Sequence, residues 1–156
     1  MNDPATTNLT TCAACGTRNR VPATAAGIPS CGSCHLPLPW IVDASELNFA
    51  AVINAPVLVL VDLWAPWCGP CRTVSPLIEQ AATDLAGRLK VVKVNVDIAP
   101  GISRTFGVQG IPTILLMIDG HEVSRQIGAL PARTLRTWID AQLNRTATFP
   151  VGRPHA

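Results

Sequence analysis

Two cysteines, Cys68 and Cys71, lie where a predicted buried strand is followed by a predicted helix. The aliphatic run 57–61 indicates the strand, and the apolar spacing from Arg72 onward indicates the helix. The first turn of a helix offers unpaired N–H groups and the positive end of the helix dipole, which both stabilise an anion. A cysteine at such a position is favoured as the thiolate, which is its nucleophilic form. We therefore predict dithiol–disulfide exchange at Cys68 and Cys71.

Length and charge exclude several classes of protein. The chain has 156 residues, of which 48% are hydrophobic, so it can build one domain of ordinary size with a small appendage. A net charge of +2 is too small to indicate binding to nucleic acid or to an anionic membrane. Residues 1–10 lack the features of a signal peptide, and no apolar run approaches the roughly 18 residues of a membrane span. We expect a soluble, cytoplasmic protein with no nucleic-acid or membrane partner.

A second group of cysteines has the spacing of a zinc site. Two Cys-x-x-Cys pairs are separated by fifteen residues: Cys12 with Cys15, and Cys31 with Cys34. Each pair can turn its sulfurs toward one point, and two such pairs complete a tetrahedron. The segment 12–34 has no helical or alternating pattern, so it needs a cross-link to hold its shape. We predict a structural Zn²⁺ held by these four cysteines and no organic cofactor; two disulfides, or four ordinary thiols, are the alternatives.

The zinc-binding module and the larger domain are separated by a short proline-rich segment. We predict a zinc-ribbon-like module over 1–36, an extended linker over 37–39, a larger domain over 40–144 and a flexible tail over 145–156.

In the larger domain, predicted strands alternate with predicted helices. Strands are expected at 40–42, 57–63, 89–96, 113–118 and 122–127, and helices at 45–54, 72–85 and 130–143, with a short helix or turn within 98–106. Ser45 is the predicted N-cap of the first helix, with Leu47 facing the core. Asp119-Gly120 is a strong hairpin signal. This order predicts an α/β fold with a mixed central sheet flanked by helices.

Several segments resemble the thioredoxin family. The segment 61–71, with its Trp67-Cys68-Gly69-Pro70-Cys71 motif, resembles the family's active-site segment. Gly110-Ile111-Pro112-Thr113 resembles its cis-proline loop, and 92–97 resembles its third strand. The likeness covers roughly 40–143 and implies the thioredoxin fold and a protein-disulfide reductase. The added N-terminal cysteine pairs resemble those of the zinc-binding second thioredoxin of bacteria, thioredoxin 2.

The resemblance also implies roles for individual residues. Cys68 matches the attacking cysteine and Cys71 the resolving one. Asp62 matches the buried aspartate behind the resolving cysteine, and Lys93 matches the lysine beside that aspartate. The residues that would face a substrate are Trp67, Gly69, Pro70, Ile111 and Pro112.

Asp62 and Lys93 also allow an argument from the residues themselves. Burial of a carboxylate favours its neutral form, which brings its proton affinity closer to that of a thiol and suits a base for Cys71. The alternative for Asp62 is a polar residue that caps or solvates a strand end. Lys93 can either hold the charged form of Asp62 or lie on a solvated face.

The expected partners follow from the resemblance: disulfide-containing protein substrates, and a flavin-dependent thioredoxin reductase that recharges a monomeric protein. Two alternative functions stay open. In one, oxidation ejects zinc and the module acts as a redox sensor. In the other, the zinc module docks a partner and the thioredoxin domain is a scaffold.

Overall fold

A computed structural model describes residues 8–148. Seven strands and four helices follow one another along this part of the chain: β1 (Asn8–Thr11), β2 (Arg18–Val21), β3 (Trp40–Asp43), α1 (Phe49–Val52), β4 (Leu58–Trp64), α2 (Gly69–Asp84), β5 (Leu89–Asn95), α3 (Pro100–Thr105), β6 (Thr113–Ile118), β7 (His121–Ile127) and α4 (Ala132–Thr148).

Five of the strands form a mixed sheet in the order β3-β5-β4-β6-β7. Strands β3 and β4 run parallel to β5, whereas β6 pairs antiparallel with β4 and with β7. Strand β4 lies in the middle, and its residues 58–63 are all buried. This confirms the predicted central strand, because only a strand covered on both faces can carry an aliphatic run without alternation.

Two layers of helices cover the sheet. Leu58 and Leu60 pack with residues of α2 and α4 on one face. Val59 and Val61 pack with residues of α1 and α3 on the other face. Successive side chains of a strand point to opposite faces, so the single strand β4 supplies both cores.

The N-terminal segment packs onto the same sheet. Strands β1 and β2 pair antiparallel, and the Asn8 side-chain amide donates to the Ile41 carbonyl on edge strand β3 at 2.8 Å. Val21 is fully buried in the cluster that contains Trp40. Leu38, within the predicted extended linker 37–39, is only 1% exposed and belongs to that cluster. The segment before β3 is therefore packed against the larger domain and covers its exposed edge.

Lys90 ties the N-terminal segment to the sheet. Its side chain is fully buried, and its ammonium donates to the carbonyls of Ala23, at 2.6 Å, and Val52, at 2.5 Å. The same nitrogen lies 4.2 Å from the centre of the Trp40 ring, whose indole N–H donates to the Pro22 carbonyl at 2.9 Å. Two carbonyls and one ring face thus receive the ammonium, although burial lowers the pKa of Lys90 to about 8.

The first helix of the larger domain differs from its prediction. It spans four residues, Phe49–Val52, and buries Phe49 and Val52, whereas Leu47 is 92% exposed. The Asn48 side-chain oxygen accepts a hydrogen bond from the Ser45 backbone N–H at 2.7 Å. This local turn delays the helix, so the predicted N-cap at Ser45 was wrong.

Other boundaries shift by a few residues. Helix α2 begins at Gly69 and so includes Cys71, and α4 continues to Thr148, into the predicted tail. The rest of that tail, 149–156, lies outside the described residues. Strands β1 and β2 lie in a region where no strand was predicted. Among residues 8–148, no helix combines the length and apolarity that a bilayer span requires.

Candidate active site and metal centre

Cys68 and Cys71 form a disulfide at the start of α2. Cys68 is the N-cap residue, and its Sγ accepts a hydrogen bond from the Cys71 backbone N–H at 3.2 Å. Pro70 occupies the opening turn, where its missing N–H costs little. This N–H, which has no partner within the helix, and the positive end of the helix dipole therefore both act on the Cys68 sulfur, at the helix start that the sequence predicts.

The predicted cis-proline loop lies beside this disulfide. The Ile111–Pro112 peptide bond is cis, as the resemblance implies. Ile111 is partly exposed and packs against the small buried cluster of Ala65, Cys68 and Cys71. The Pro112 carbonyl accepts a hydrogen bond from the Gly128 N–H at 2.8 Å, which anchors the loop to the end of β7. Two segments distant in sequence thus meet at the disulfide.

An exposed surface surrounds the buried sulfurs. Gly69 and Pro70 are exposed, and Trp67 is 68% exposed. The Trp67 indole N–H donates to both carboxylate oxygens of Asp97 at 3.1 Å. Asp97 therefore fixes the ring, a role that the sequence analysis missed. The available signal was its place two residues after the end of β5, at the same edge of the sheet as the cysteines.

Asp62 lies behind the disulfide on β4 and is 1% exposed. It lines a cavity of about 260 Å³ together with Cys71 and Lys93. Its Oδ1 makes no hydrogen bond within the described part of the chain. Burial raises the pKa of Asp62 to about 6; the Lys93 ammonium opposes this shift, and the Glu79 carboxylate adds to it. The carboxylate can therefore take up a proton close to neutral pH.

Lys93 is the register partner of Asp62 on the neighbouring strand β5. Its ammonium donates to the Ser75 hydroxyl at 2.7 Å and forms an ion pair with Glu79 at 3.0 Å. The Lys93 side chain is only 16% exposed. The structure therefore brings Asp62, Lys93 and Cys71 around one cavity.

The four N-terminal cysteines also converge. Their sulfurs all lie within 4.8 Å of one another, with 3.6 Å between Cys12 and Cys34 and between Cys15 and Cys31. No disulfide joins them. A tetrahedral site with Zn–S bonds of about 2.3 Å has sulfur–sulfur separations of about 3.8 Å. The donor set and its spacing therefore fit a tetrahedral thiolate site.

The two knuckles that present these sulfurs have the same backbone form. Gly16, which follows Cys15, has φ +76°, and its N–H donates to the Cys12 carbonyl at 2.9 Å. His35, which follows Cys34, has φ 64°, and its N–H donates to the Cys31 carbonyl at 2.9 Å. His35 thus closes the second turn with its backbone, in the left-handed conformation that usually favours glycine.

The thiols of this group differ in acidity. Hydrogen bonds from the backbone N–H groups of Cys34 and Ser33 lower the pKa of Cys31 to about 6. The Leu36 N–H favours the Cys34 thiolate, but burial and the neighbouring thiols outweigh it and raise the pKa of Cys34 to about 12. All four sulfurs would be thiolates at neutral pH only beside a cation, because metal ligation requires the deprotonated thiol.

Comparison with known proteins agrees with this geometry. The family model for thioredoxin matches residues 39–141. The chain belongs to the thioredoxin family. It is 41% identical over 139 residues to thioredoxin C-3 of Corynebacterium nephridii, which covers 86% of this chain and 94% of the relative. It is 42% identical over 104 residues to the thioredoxin of Haemophilus influenzae, with 66% of this chain and 97% of the relative covered.

The family fixes the activity. The protein is a thiol–disulfide oxidoreductase, a protein-disulfide reductase whose family implies disulfide-containing protein substrates and, typically, reduction by thioredoxin reductase. The match to thioredoxin C-3 covers a larger share of the chain than residues 39–156 supply, so it extends into the N-terminal segment.

The raised pKa of Asp62 predicts a pH-dependent stability difference. Between the ordinary value of 3.8 and the folded value of about 6, folded protein binds more protons at Asp62 than unfolded protein does. Below pH 3.8, Asp62 therefore makes its full contribution to the free energy of unfolding. This contribution should fall by up to about 3 kcal/mol as the pH rises past the folded pKa of about 6. We expect Asp62→Asn to gain stability over the wild type as pH rises from about 4 to about 7.

Urea denaturation of both oxidised proteins across this range measures the difference, and subtracting the two curves cancels the other carboxylates. A difference that stays constant with pH would contradict the assigned pKa.

Proposed function

We propose that Cys68 attacks the substrate disulfide and that Cys71 resolves the product. The Cys68 thiolate bonds to one substrate sulfur, and the other substrate sulfur leaves as a thiolate. Cys71 then gives its proton to Asp62 and attacks the Cys68 Sγ, which breaks the bond to the substrate. The substrate sulfur that was bonded to Cys68 leaves as the second thiolate, and the protein keeps the Cys68–Cys71 disulfide. Two electrons pass from the protein dithiol to the substrate.

One observation carries this assignment: the start of α2 acts on the sulfur of Cys68 and not on that of Cys71. Cys68 is the N-cap residue and accepts the N–H of the first turn, whereas Cys71 lies within the helix. The thiolate is therefore favoured at Cys68. Cys71 lies against the cavity of Asp62, whose pKa of about 6 suits a base that works near neutral pH. We assign Lys93 the role of stabilising the charged form of Asp62.

We further propose that substrates bind across the exposed rim of the disulfide. Trp67 offers a large exposed aromatic surface held by Asp97, and Gly69 and Pro70 continue this surface over the first turn. Ile111 packs against the disulfide and precedes the buried Pro112, and an extended substrate segment can pair with the backbone before the proline.

Cysteine variants test the order of attack. Cys71→Ser should accumulate a mixed disulfide with a substrate such as insulin, because Cys68 still attacks but nothing resolves the product. Cys68→Ser should form no such adduct and show no turnover. Non-reducing mass spectrometry detects the adduct, and insulin reduction measures turnover. Asp62→Asn, with both cysteines intact, should reduce turnover near neutral pH on the order of tenfold or more.

Turnover by Cys68→Ser, or an adduct held at Cys71, would reverse the assignment. Unchanged turnover and pH profile in Asp62→Asn would remove the base role while leaving the two cysteines in place.

We propose that the N-terminal cysteines hold one structural Zn²⁺, as in the zinc-binding thioredoxin 2 that this module resembles. The convergence of the Cys12, Cys15, Cys31 and Cys34 sulfurs to within 4.8 Å of one another supports this assignment, as does their lack of disulfides. When bound, the metal supplies a cross-link that the short strands β1 and β2 cannot provide through burial alone. Cysteines that are free or bound to a metal, and not paired in disulfides, are typical of a reducing compartment, which supports a cytoplasmic location.

Metal analysis tests the proposal. Purified protein should contain one zinc per chain, and Cys31→Ser should lose it, because three sulfurs leave the tetrahedron incomplete. Trp67→Ala is a matched control that leaves the four sulfurs intact and should keep the metal. Protein without metal that carries Cys12–Cys34 and Cys15–Cys31 disulfides would contradict the proposal. If the protein contains zinc and peroxide releases it, this would support the additional role of a redox sensor.

We propose that a flavin-dependent thioredoxin reductase reduces the Cys68–Cys71 disulfide after each turnover. We also propose that the protein acts as a monomer, since one chain supplies both cysteines, Asp62 and the exposed rim. The docking-scaffold alternative is less favoured, because a scaffold has no use for a paired Cys68 and Cys71.

A further inference from the structure

One face of helix α2 carries a series of polar groups behind the disulfide. Cys71, Ser75 and Glu79 are four residues apart, so they lie above one another on the helix surface. The ammonium of Lys93, on the adjacent strand β5, contacts both Ser75, at 2.7 Å, and Glu79, at 3.0 Å. A disulfide sulfur, a hydroxyl and a carboxylate thus follow one helix face toward solvent.

Two cavities meet at Lys93. The inner one, of about 260 Å³, is lined by Asp62, Cys71 and Ser75, and the outer one, of about 460 Å³, by Glu79. Lys93 lines both cavities. Trp64 also lines both cavities but is neutral, so Lys93 is the charged group that the two cavities share.

The position of this ammonium needs an explanation, because a lysine side chain is long and gains entropy by moving into solvent. A single ion pair to Glu79, which is about half exposed, restrains it weakly. The hydroxyl of Ser75 adds a second, more buried contact from the wall of the inner cavity. Together the two contacts fix the ammonium from two sides.

We infer that Ser75 and Glu79 are positioning residues, whose contacts with Nζ hold the Lys93 ammonium beside the cavity that Asp62 and Cys71 share. The inference rests on the proposed role of Asp62 as the base. Ser75 would act only through Lys93, whereas Glu79 would act through Lys93 and also by its own charge; neither touches a reacting atom.

The two residues should affect Asp62 in opposite directions. Ser75 is neutral, so its only effect is to keep the ammonium close, which favours the charged carboxylate. Glu79 also contributes a negative charge, which disfavours it. The other charged groups that line these cavities are Arg72, which donates to the Pro66 carbonyl at 2.7 Å, and Asp43 on β3.

Titration of the Asp62 carboxyl carbon by NMR in the oxidised full-length protein tests the inference. Ser75→Ala should raise the pKa of Asp62, because the ammonium is released toward solvent. Glu79→Gln should lower it, because the amide oxygen still accepts from Lys93 while the negative charge is gone. Each shift should be on the order of half a pH unit, as expected for partly exposed charges. Ser75→Thr, which keeps the hydroxyl, should restore the wild-type value.

Asp84→Asn is the matched control for charge. It removes a carboxylate from the same helix, but Asp84 pairs with Arg136 and not with Lys93. This variant should leave the pKa of Asp62 unchanged.

The pH profile of the resolving step separates this inference from the proposed function. If Asp62→Asn slows resolution and the Ser75 and Glu79 variants move the profile in the expected directions, the inference holds. If Asp62→Asn slows resolution but Ser75→Ala leaves the pKa of Asp62 unchanged or lowers it, the positioning role is overturned and the base role survives. If Asp62→Asn leaves resolution unchanged, the base role itself fails, and with it the positioning role.

Discussion

The start of helix α2 at Cys68 is the constraint on which the active site depends. The chain leaves the buried strand β4 at Trp64 and enters the helix at Gly69, so the sulfur of the N-cap residue receives the N–H of the first turn. The same helical turn places Cys71 three residues further on, inside the structure and against the cavity of Asp62. One helix start therefore gives two chemically similar thiols different environments, one suited to attack and the other to resolution.

Two buried charges on opposite faces of the sheet have different uses. Asp62 has an oxygen without a hydrogen bond in the described structure, and its pKa rises to about 6, which fits a group that must exchange a proton. Lys90 gives its ammonium to two carbonyls and the Trp40 ring, which fits a structural role. Because one of those carbonyls belongs to Ala23, Lys90 makes the N-terminal segment part of the larger fold. Cys12 and Cys31 of the four-cysteine group belong to the same buried cluster as Trp40.

Much of the fold was predictable where one local signal dominates. The aliphatic run gave β4, the Asp119-Gly120 turn gave the β6–β7 hairpin, and both turn residues have the expected positive φ. The first helix was misjudged, because the hydrogen bond between Asn48 and Ser45 decides where it begins and apolar spacing does not report it. The pairing of β1 with β2 and the burial of Lys90 depend on contacts between distant segments, which a single sequence does not display. The helix-start position of the cysteines and the burial of Asp62 were predictable from the motif and the apolar flanks, whereas the contacts of Asp97 with Trp67 and of Ser75 with Lys93 need coordinates.

Titration of the Cys68 thiol in the reduced protein tests the central claim most directly. Thiolate absorbance in the ultraviolet, or the rate of alkylation against pH in Cys71→Ser, reports the ionisation of this one sulfur. If the start of α2 stabilises the anion, the pKa of Cys68 lies clearly below the value of about 8.5 of a free cysteine. A pKa at or above that value would contradict the account, because the helix start would then give Cys68 no advantage as the attacking group.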